Sequence, residues 1–353
     1  MTDTNVQLAT QGLASNGFGF FTNGRLDVRG ARPFIDTDGQ SKIIVVNGNT
    51  GKVGKLKINA SALLRYDEWK DLDRTVVQAG MQRMVALNDL RSRGLTHQLG
   101  SIGQTVSMWE TMSDMTEASV AMSAITRGEK DAAQFGTAQV PVPIVFKEFS
   151  VELRRLEASR RFGAGIDIVQ AEIAGRLVGE KSEKMLFLGA GVQVDGATIY
   201  GYTTHPNRNT VTLTKNWDAS DKTGAEILVD VQAMLASARS DRYYGPYMLY
   251  IPSAYEGVLD GDYRANDDRT IRQRILALSG IAGIQVSDFL TANNVVLVQL
   301  TRDVVDLAIA QDITTVQWSL MGGMQEEFKV MAVWVPRVKS GPGGESGIVH
   351  LRA

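Results

Sequence analysis

Cysteine is absent from all 353 residues. That excludes disulfides, thiolate nucleophiles and cysteine-based zinc sites, and it fits a reducing compartment. Histidine is scarce: the chain has 3, His97, His205 and His350. None stands at HExxH or HxH spacing to a second ligand. No apolar run reaches about eighteen residues, the length a membrane-spanning helix needs, so no membrane segment is expected. A basic excess is missing too. Lys and Arg number 37 against 39 Asp and Glu, a formal net charge of −2 with a pI ≈ 6.0. Gripping nucleic acid takes a cationic surface that displaces phosphate counterions. Tight binding is therefore not expected, although this balance is compatible with surrounding nucleic acid. The first residues, Met1 to Val6, have no basic n-region and no apolar h-region, so no secretory signal is expected.

Catalytic signatures are missing as well. There is no GxSxG, no SxxK with its companions and no GxxxxGK[ST] loop. The glycines of "LGAGVQVDG" (188–196) follow a helical pattern, which is a C-cap position and not a dinucleotide turn. Carboxylates cluster in "DEWKDLD" (67–73) and "DGDYRANDD" (260–268), and such runs are mostly solvated faces. A carboxylate enzyme is kept as a rival, and its mark would be activity in an unassembled 38.4 kDa species. In "GYTTHPNRNT" (201–210), Pro206 biases His205 toward extended backbone. Gly201 and the Pro-Asn pair are turn formers, so this stretch reads as a turn and not as a metal or catalytic loop. The chain is expected not to be an enzyme and to hold no cofactor.

What is present is an ordinary globular composition, 44% hydrophobic and 22% charged, sufficient for a sizeable core. Residues 1–31 are rich in Gly, Asn and Thr around the aromatic island "FGFF" (18–21) and read as an extended arm. "KIIVVNGNTGKVGKLKI" (42–58) reads as a hairpin turning at Asn47-Gly48. A helix is expected over 64–93, with Gly94 as its stop. From 105 to 150 the chain turns extended and polar, a two-stranded excursion of roughly forty residues with a charged tip; loops that long are usually functional. A second long helix spans 166–188, where Gly175 and Gly179 imply close packing of a neighbour.

Farther on, Thr223 and Glu226 form a capping box before the amphipathic residues Ile227, Leu228, Val231, Met234 and Leu235. "YMLYIP" (247–252) is a strand, and "DDRTIRQRILALSG" (267–280) is a helix. "NNVVLVQLT" and "DVVDLAIAQD" are tightly joined strands of one α+β unit. "EFKVMAVWVPRVK" (327–339) is a strong strand, and "SGPGGESG" separates it from a terminal strand, "IVHLRA". Trp69, Trp109, Trp217, Trp318 and Trp334 read as core or interface residues. An arm and a long excursion bury little within their own subunit, and they make sense if they bury surface on a neighbour.

The order of these elements resembles the major capsid proteins of tailed bacteriophages with the Hong Kong 97 phage fold, and the related encapsulin shell proteins. "ASVAMSAITRGEKDAAQFGTAQVPVPIVFKEFSVELRRL" looks like the family's extended loop, and "IDIVQAEIAGRLVGEKSEKMLFLG" like its spine helix. "VDGATIYGYTTHPNRNTV" looks like the segment that follows it. The blocks from "ILVDVQAMLASARS" to "VVLVQLTRDVVDLAIAQDITTVQW" look like its axial domain. The likeness covers about residues 60–350.

That resemblance implies an α+β fold with six parts: an arm and hairpin (1–60), a helix and lead-in (61–110), the extended loop (111–156), a peripheral domain with the spine helix (157–221), an axial domain (222–320) and return strands of the peripheral domain (321–353). It implies a capsid subunit that assembles with itself as hexamers and pentamers around double-stranded DNA, without sequence-specific binding; a nanocompartment enclosing cargo enzymes is the alternative. Expected partners are copies of itself, with a scaffolding protein, a portal and a decoration protein. The expected location is the virion, assembled in the host bacterial cytoplasm. Expected inter-subunit contacts are Phe20 and Phe21 in the arm and Arg127, Glu129, Lys130 and Asp131 at the loop tip. Some family members join a Lys to an Asn between subunits. Lys130 lies in the loop, but no Asn and Glu are placed opposite it.

Overall fold

The structure is a computed structural model that describes residues 20–22, 25–27, 34–38, 40–46, 53–57, 66–118, 120, 122, 125, 131–161, 168–194, 196–264, 269–320 and 324–353. Strands β1 (Phe20–Thr22) and β2 (Arg25–Asp27) pair antiparallel. Strands β3 (Phe34–Ile35), β4 (Ser41–Val46) and β5 (Val53–Lys57) form a small sheet. The hairpin expected over 42–58 is thus present, and its Asn47-Gly48 turn lies outside the described residues.

Helices α1 (Tyr66–Gln82) and α2 (Ala86–Ser92) then replace the single helix expected over 64–93. The break has a remote cause. Glu183 accepts hydrogen bonds from the backbone N–H groups of Ala86 and Leu87, at 2.6 and 3.1 Å, and so caps a new helix start. Gly94 does end the run: its φ is +68°, and Leu95 N–H closes back on Leu90 O at 2.9 Å.

Strand β6 (Thr96–Gln98) follows, then the hairpin of β7 (Val106–Met112) and β8 (Phe135–Pro141). The excursion therefore leaves at 106 and returns at 141, not at 111 and 156. Strand β9 (Ile144–Glu152) already belongs to the main body, and α3 (Leu153–Arg161) follows it. Helix α4 (Ile168–Leu188) is the second long helix. Its glycines are where α1 crosses it. A Cβ on Gly175 would lie 2.5 Å from Val76 O, and one on Gly179 would lie 2.3 Å from Gly80 O. The inference of close packing from small residues holds.

Strands β10 (Ala190–Val194) and β11 (Ala197–Ile199) form a short hairpin. After them come β12 (Asn209–Thr212), α5 (Gly224–Ser240), β13 (Tyr247–Pro252), α6 (Glu256–Leu259) and α7 (Ile271–Leu276). The last elements are β14 (Ile281–Ser287), β15 (Asn294–Gln299), β16 (Val305–Leu320), β17 (Gln325–Val338) and β18 (Ile348–Arg352). The capping box on α5 is present, with Thr223 N–H donating to Glu226 Oε2 at 2.8 Å. Helix α7 is shorter than the expected 267–280 because Thr270 caps it late.

Two sheets organise the core, in the orders β6-β16-β17-β9 and β12-β18-β15-β13-β14. Strand β13 is buried along its whole length, which explains its unbroken apolar run. Tyr247, Leu249 and Ile251 face the core shared with α5 and α7; Met248 and Tyr250 face the core shared with α1, α2, α4 and the other sheet. Sheet membership departs from the expected 222–320 and 321–353 parts. Strand β16 leaves β15 through a turn at 301–304 and joins the other sheet, where Val305, Leu307 and Ala308 fill the larger core. Strand β18 inserts between β12 and β15, placing Val349 and Leu351 against the α5 side and Ile348 on the opposite face.

Candidate functional site

Strands β7 and β8 pair from Val106↔Pro141 to Met112↔Phe135 and join neither large sheet. Side chains alternate across such a ribbon. Ser107, Trp109 and Thr111, with Val140, Ala138 and Gly136 opposite, form one face; Met108, Glu110 and Met112, with Gln139, Thr137 and Phe135 opposite, form the other. Burial falls along the first face from Ser107, which is buried, to Thr111, which is exposed. The ribbon thus projects from the body.

Its root is anchored by charge. Arg337 of β17 donates to both carboxylate oxygens of Asp306 at 2.6 Å and contacts Ser107 Oγ at 3.4 Å. Its guanidinium sits 5.7 Å from the Trp109 ring centroid. Lys339 Nζ adds a 2.8 Å contact to Asp306. Burial pushes the Asp306 carboxyl up, but the Arg337 and Lys339 hydrogen bonds outweigh it, and the carboxyl stays below its usual value.

Beyond the root the second face is uncovered, and exposed apolar groups stand on it among Glu110, Thr137 and Gln139. Met112 is 57% exposed and its partner Phe135 72%. Val120, near the tip, is 99% exposed, and Met108, Met115, Met122 and Ile125 are exposed as well. A soluble chain rarely leaves so many large apolar groups together in water unless something covers them.

The expected contact residues fall differently. Phe20 and Phe21 lie in β1, in register with Asp27 and Leu26. Arg127, Glu129 and Lys130 lie outside the described residues. Asp131 is exposed, and its carboxylate accepts from Thr116 N–H at 3.0 Å and Ala132 N–H at 2.8 Å, which closes the neck of the tip within the chain. Reading the excursion as polar missed its exposed apolar groups. Their signal was present: four methionines occur within Met108–Met122, from a total of 13 in the chain.

Under the inner face of the ribbon lies a cleft of about 440 Å³, lined by Trp109, Ala138, Thr198, Tyr200, His205 and Lys339 among others. The turn reading of His205 holds. Its N–H donates to Gly201 O at 3.0 Å, while Tyr202 and Thr203 N–H donate to Leu186 and Phe187 O at 2.9 Å, which ties off α4. Burial, then the Arg208 charge, push the His205 imidazole down to about 4. His350 is likewise held at about 4 by burial and by Arg208 and Arg352; Arg208 Nε donates to its Nδ1 at 3.3 Å. Among the described residues no group of three or more His, Asp or Glu side chains is placed to hold a metal ion. No described helix is long and apolar enough to cross a membrane.

A family model, described as a family of unknown function (DUF6260), matches residues 59–351. The type 1 encapsulin shell protein EncA of Myxococcus xanthus (strain DK1622) is 27% identical over 284 residues, which is 78% of this chain and 90% of that protein. Among solved structures, the virus-like particle from Pyrococcus furiosus has 19% identity and a TM-score of 0.55, covering 80% of this chain and 99% of that one. The capsid of Myoviridae phage XM1 has 10% identity and a TM-score of 0.59, covering 73% and 88%. The fold is that of the Hong Kong 97 phage capsids, which encapsulin shells share.

Proposed function

We propose that this chain, which belongs to the family of unknown function DUF6260 and has the Hong Kong 97 capsid fold, is the subunit of a closed protein shell. One observation carries the reading: a ribbon bolted to the core at Asp306–Arg337 holds a cluster of exposed large apolar side chains, Met108, Met112 and Phe135 on its outer face and Met115, Val120, Met122 and Ile125 toward its tip, away from its own subunit. That face is stabilised when it lies on a second copy. Interfaces of about 1,000–2,000 Å² each, repeated over many subunits, make a shell stable collectively. Hexamers and pentamers then close it icosahedrally, with no turnover chemistry in the subunit. The near-neutral charge suits this, because subunits repel little and the contents need no tight grip.

In the first reading the shell encloses double-stranded phage DNA, with a scaffolding protein, a portal and a decoration protein as partners, and it assembles in the bacterial host. The 27% identity to an encapsulin shell protein favours a second reading, a nanocompartment around cargo enzymes. Expression of the chain alone, followed by size exclusion and negative-stain electron microscopy, tests the shell itself. Closed particles or ring-like capsomers are expected, and a monodisperse monomer that stays monomeric with its neighbouring genes co-expressed refutes the proposal. Nucleic acid or enzyme inside native particles then separates the two readings.

A further inference from the structure

Methionine is distributed unevenly in this fold. Met84, Met185, Met234, Met248 and Met331 are buried. Met108, Met112, Met115 and Met122 are each more than half exposed, and all four lie on the ribbon or its tip. Met324, at the turn before β17, is the one other exposed methionine among the described residues. Met108 and Met112 share the outer face of β7, and Met112 stands directly opposite Phe135.

A thioether is apolar and deformable, so it suits a surface that must fit neighbours in slightly different geometries. It is also the one aliphatic side chain that a mild oxidant turns polar. Leucine in the same places would give the apolar area without that liability. We propose that Met108, Met112, Met115 and Met122 form a modification site for hydroperoxides, and that their oxidation prevents the ribbon from docking on a second copy of the chain. This rests on the shell reading above.

The step is a two-electron oxygen transfer. A sulfur lone pair attacks one peroxide oxygen, the S–O bond forms and the O–O bond breaks. The departing hydroxide takes the proton of the transferred oxygen and leaves as water. Sulfur is oxidised to the sulfoxide and the peroxide is reduced. The buried methionines are shielded from the reagent, so the free subunit is modified first on the ribbon and at Met324, which the leucine variant below retains as its control. Once the ribbon is covered, its methionines are shielded too, and the device acts before assembly and not after it.

The test uses the full chain and hydrogen peroxide. Unassembled subunits are treated until peptide mapping shows sulfoxide at the four ribbon positions and not at Met84, Met185 or Met234, and particle yield is measured by light scattering and microscopy. At least a tenfold loss of shells is expected, restored by the two methionine sulfoxide reductases that reduce the two sulfoxide epimers. A Met108→Leu, Met112→Leu, Met115→Leu, Met122→Leu variant, whatever its starting yield, is expected to change less than twofold on the same treatment. Oxidised wild-type subunits that assemble like untreated ones overturn the inference and leave the shell reading standing. So does a lost yield that the reductases do not restore. Untreated chain that never forms shells overturns both.

Discussion

Asp306 and Arg337 are register partners on β16 and β17, joined by two contacts of 2.6 Å, and both side chains are buried. The pair sits at the root of the ribbon, so it couples the stability of the sheet to the placement of the docking face. Asp306→Asn leaves Arg337 and Lys339 in a buried site without their counter-charge. A loss of about 3–5 kcal/mol in chemical denaturation is expected, together with faster proteolysis within 106–141. An unchanged unfolding midpoint would show that water already compensates both cations.

The crossing of α1 and α4 depends on hydrogen atoms where other residues have a methyl group. Gly179→Ala drives a Cβ to 2.3 Å from Gly80 O, and helix backbones do not yield locally. The expected cost is at least about 2 kcal/mol. Gly257→Ala is the matched comparison, since nothing lies within 4 Å of its added Cβ. Equal stabilities of the two variants would remove the close-contact argument.

Acid should loosen the junction of β12 and β18. His205 and His350 are both held at about 4, below the 6.5 of an ordinary imidazole. The unfolded chain therefore binds protons that the folded chain refuses. Their contribution is fully present above pH 6.5, falls as pH drops toward about 4 and is flat below that. Each is worth about 3 kcal/mol at the acid end. Glu183, pushed up to about 7 by burial, acts with the opposite sign between 4.5 and 7, so wild type must be compared with His350→Gln. Urea unfolding at pH 7.5 and 4.5 should show the smaller acid loss in the variant; parallel losses would count against the neutral-imidazole account.

The ribbon tip should be dispensable for folding. Ser113 N–H donates to Gln134 O and Gln134 N–H to Ser113 Oγ, both at 2.8 Å, so a two-glycine link can replace 114–133 beyond that clasp. Unfolding free energy is expected to change by less than about 1 kcal/mol, because loop-closure entropy varies slowly with length. Closed shells should disappear from micrographs. Normal shells from this deletion would take the docking role away from the tip.

Much of the local structure was legible in the sequence. The Thr223–Glu226 capping box and the Gly94 stop act within a few residues, and cap chemistry specifies them; the apolar run 247–252 and the glycine pair in the 166–188 helix showed that something packs closely there, but not what. The excursion was legible as a pattern without helical period, and its methionines were there to be counted. Only the tertiary structure decided which apolar face covers which. Strands β15 and β16 are separated by five residues yet enter different sheets, and β18 finds its place between strands from two earlier parts of the chain. The helix break before Ala86 is imposed by Glu183, 97 positions away, and the anchor at Asp306 closes only when β16 meets β17. A period of two or 3.6 says that a segment has one apolar side. Which partner buries it is settled by the whole core at once, because the free energy of burial belongs to the pair of surfaces and not to either segment alone.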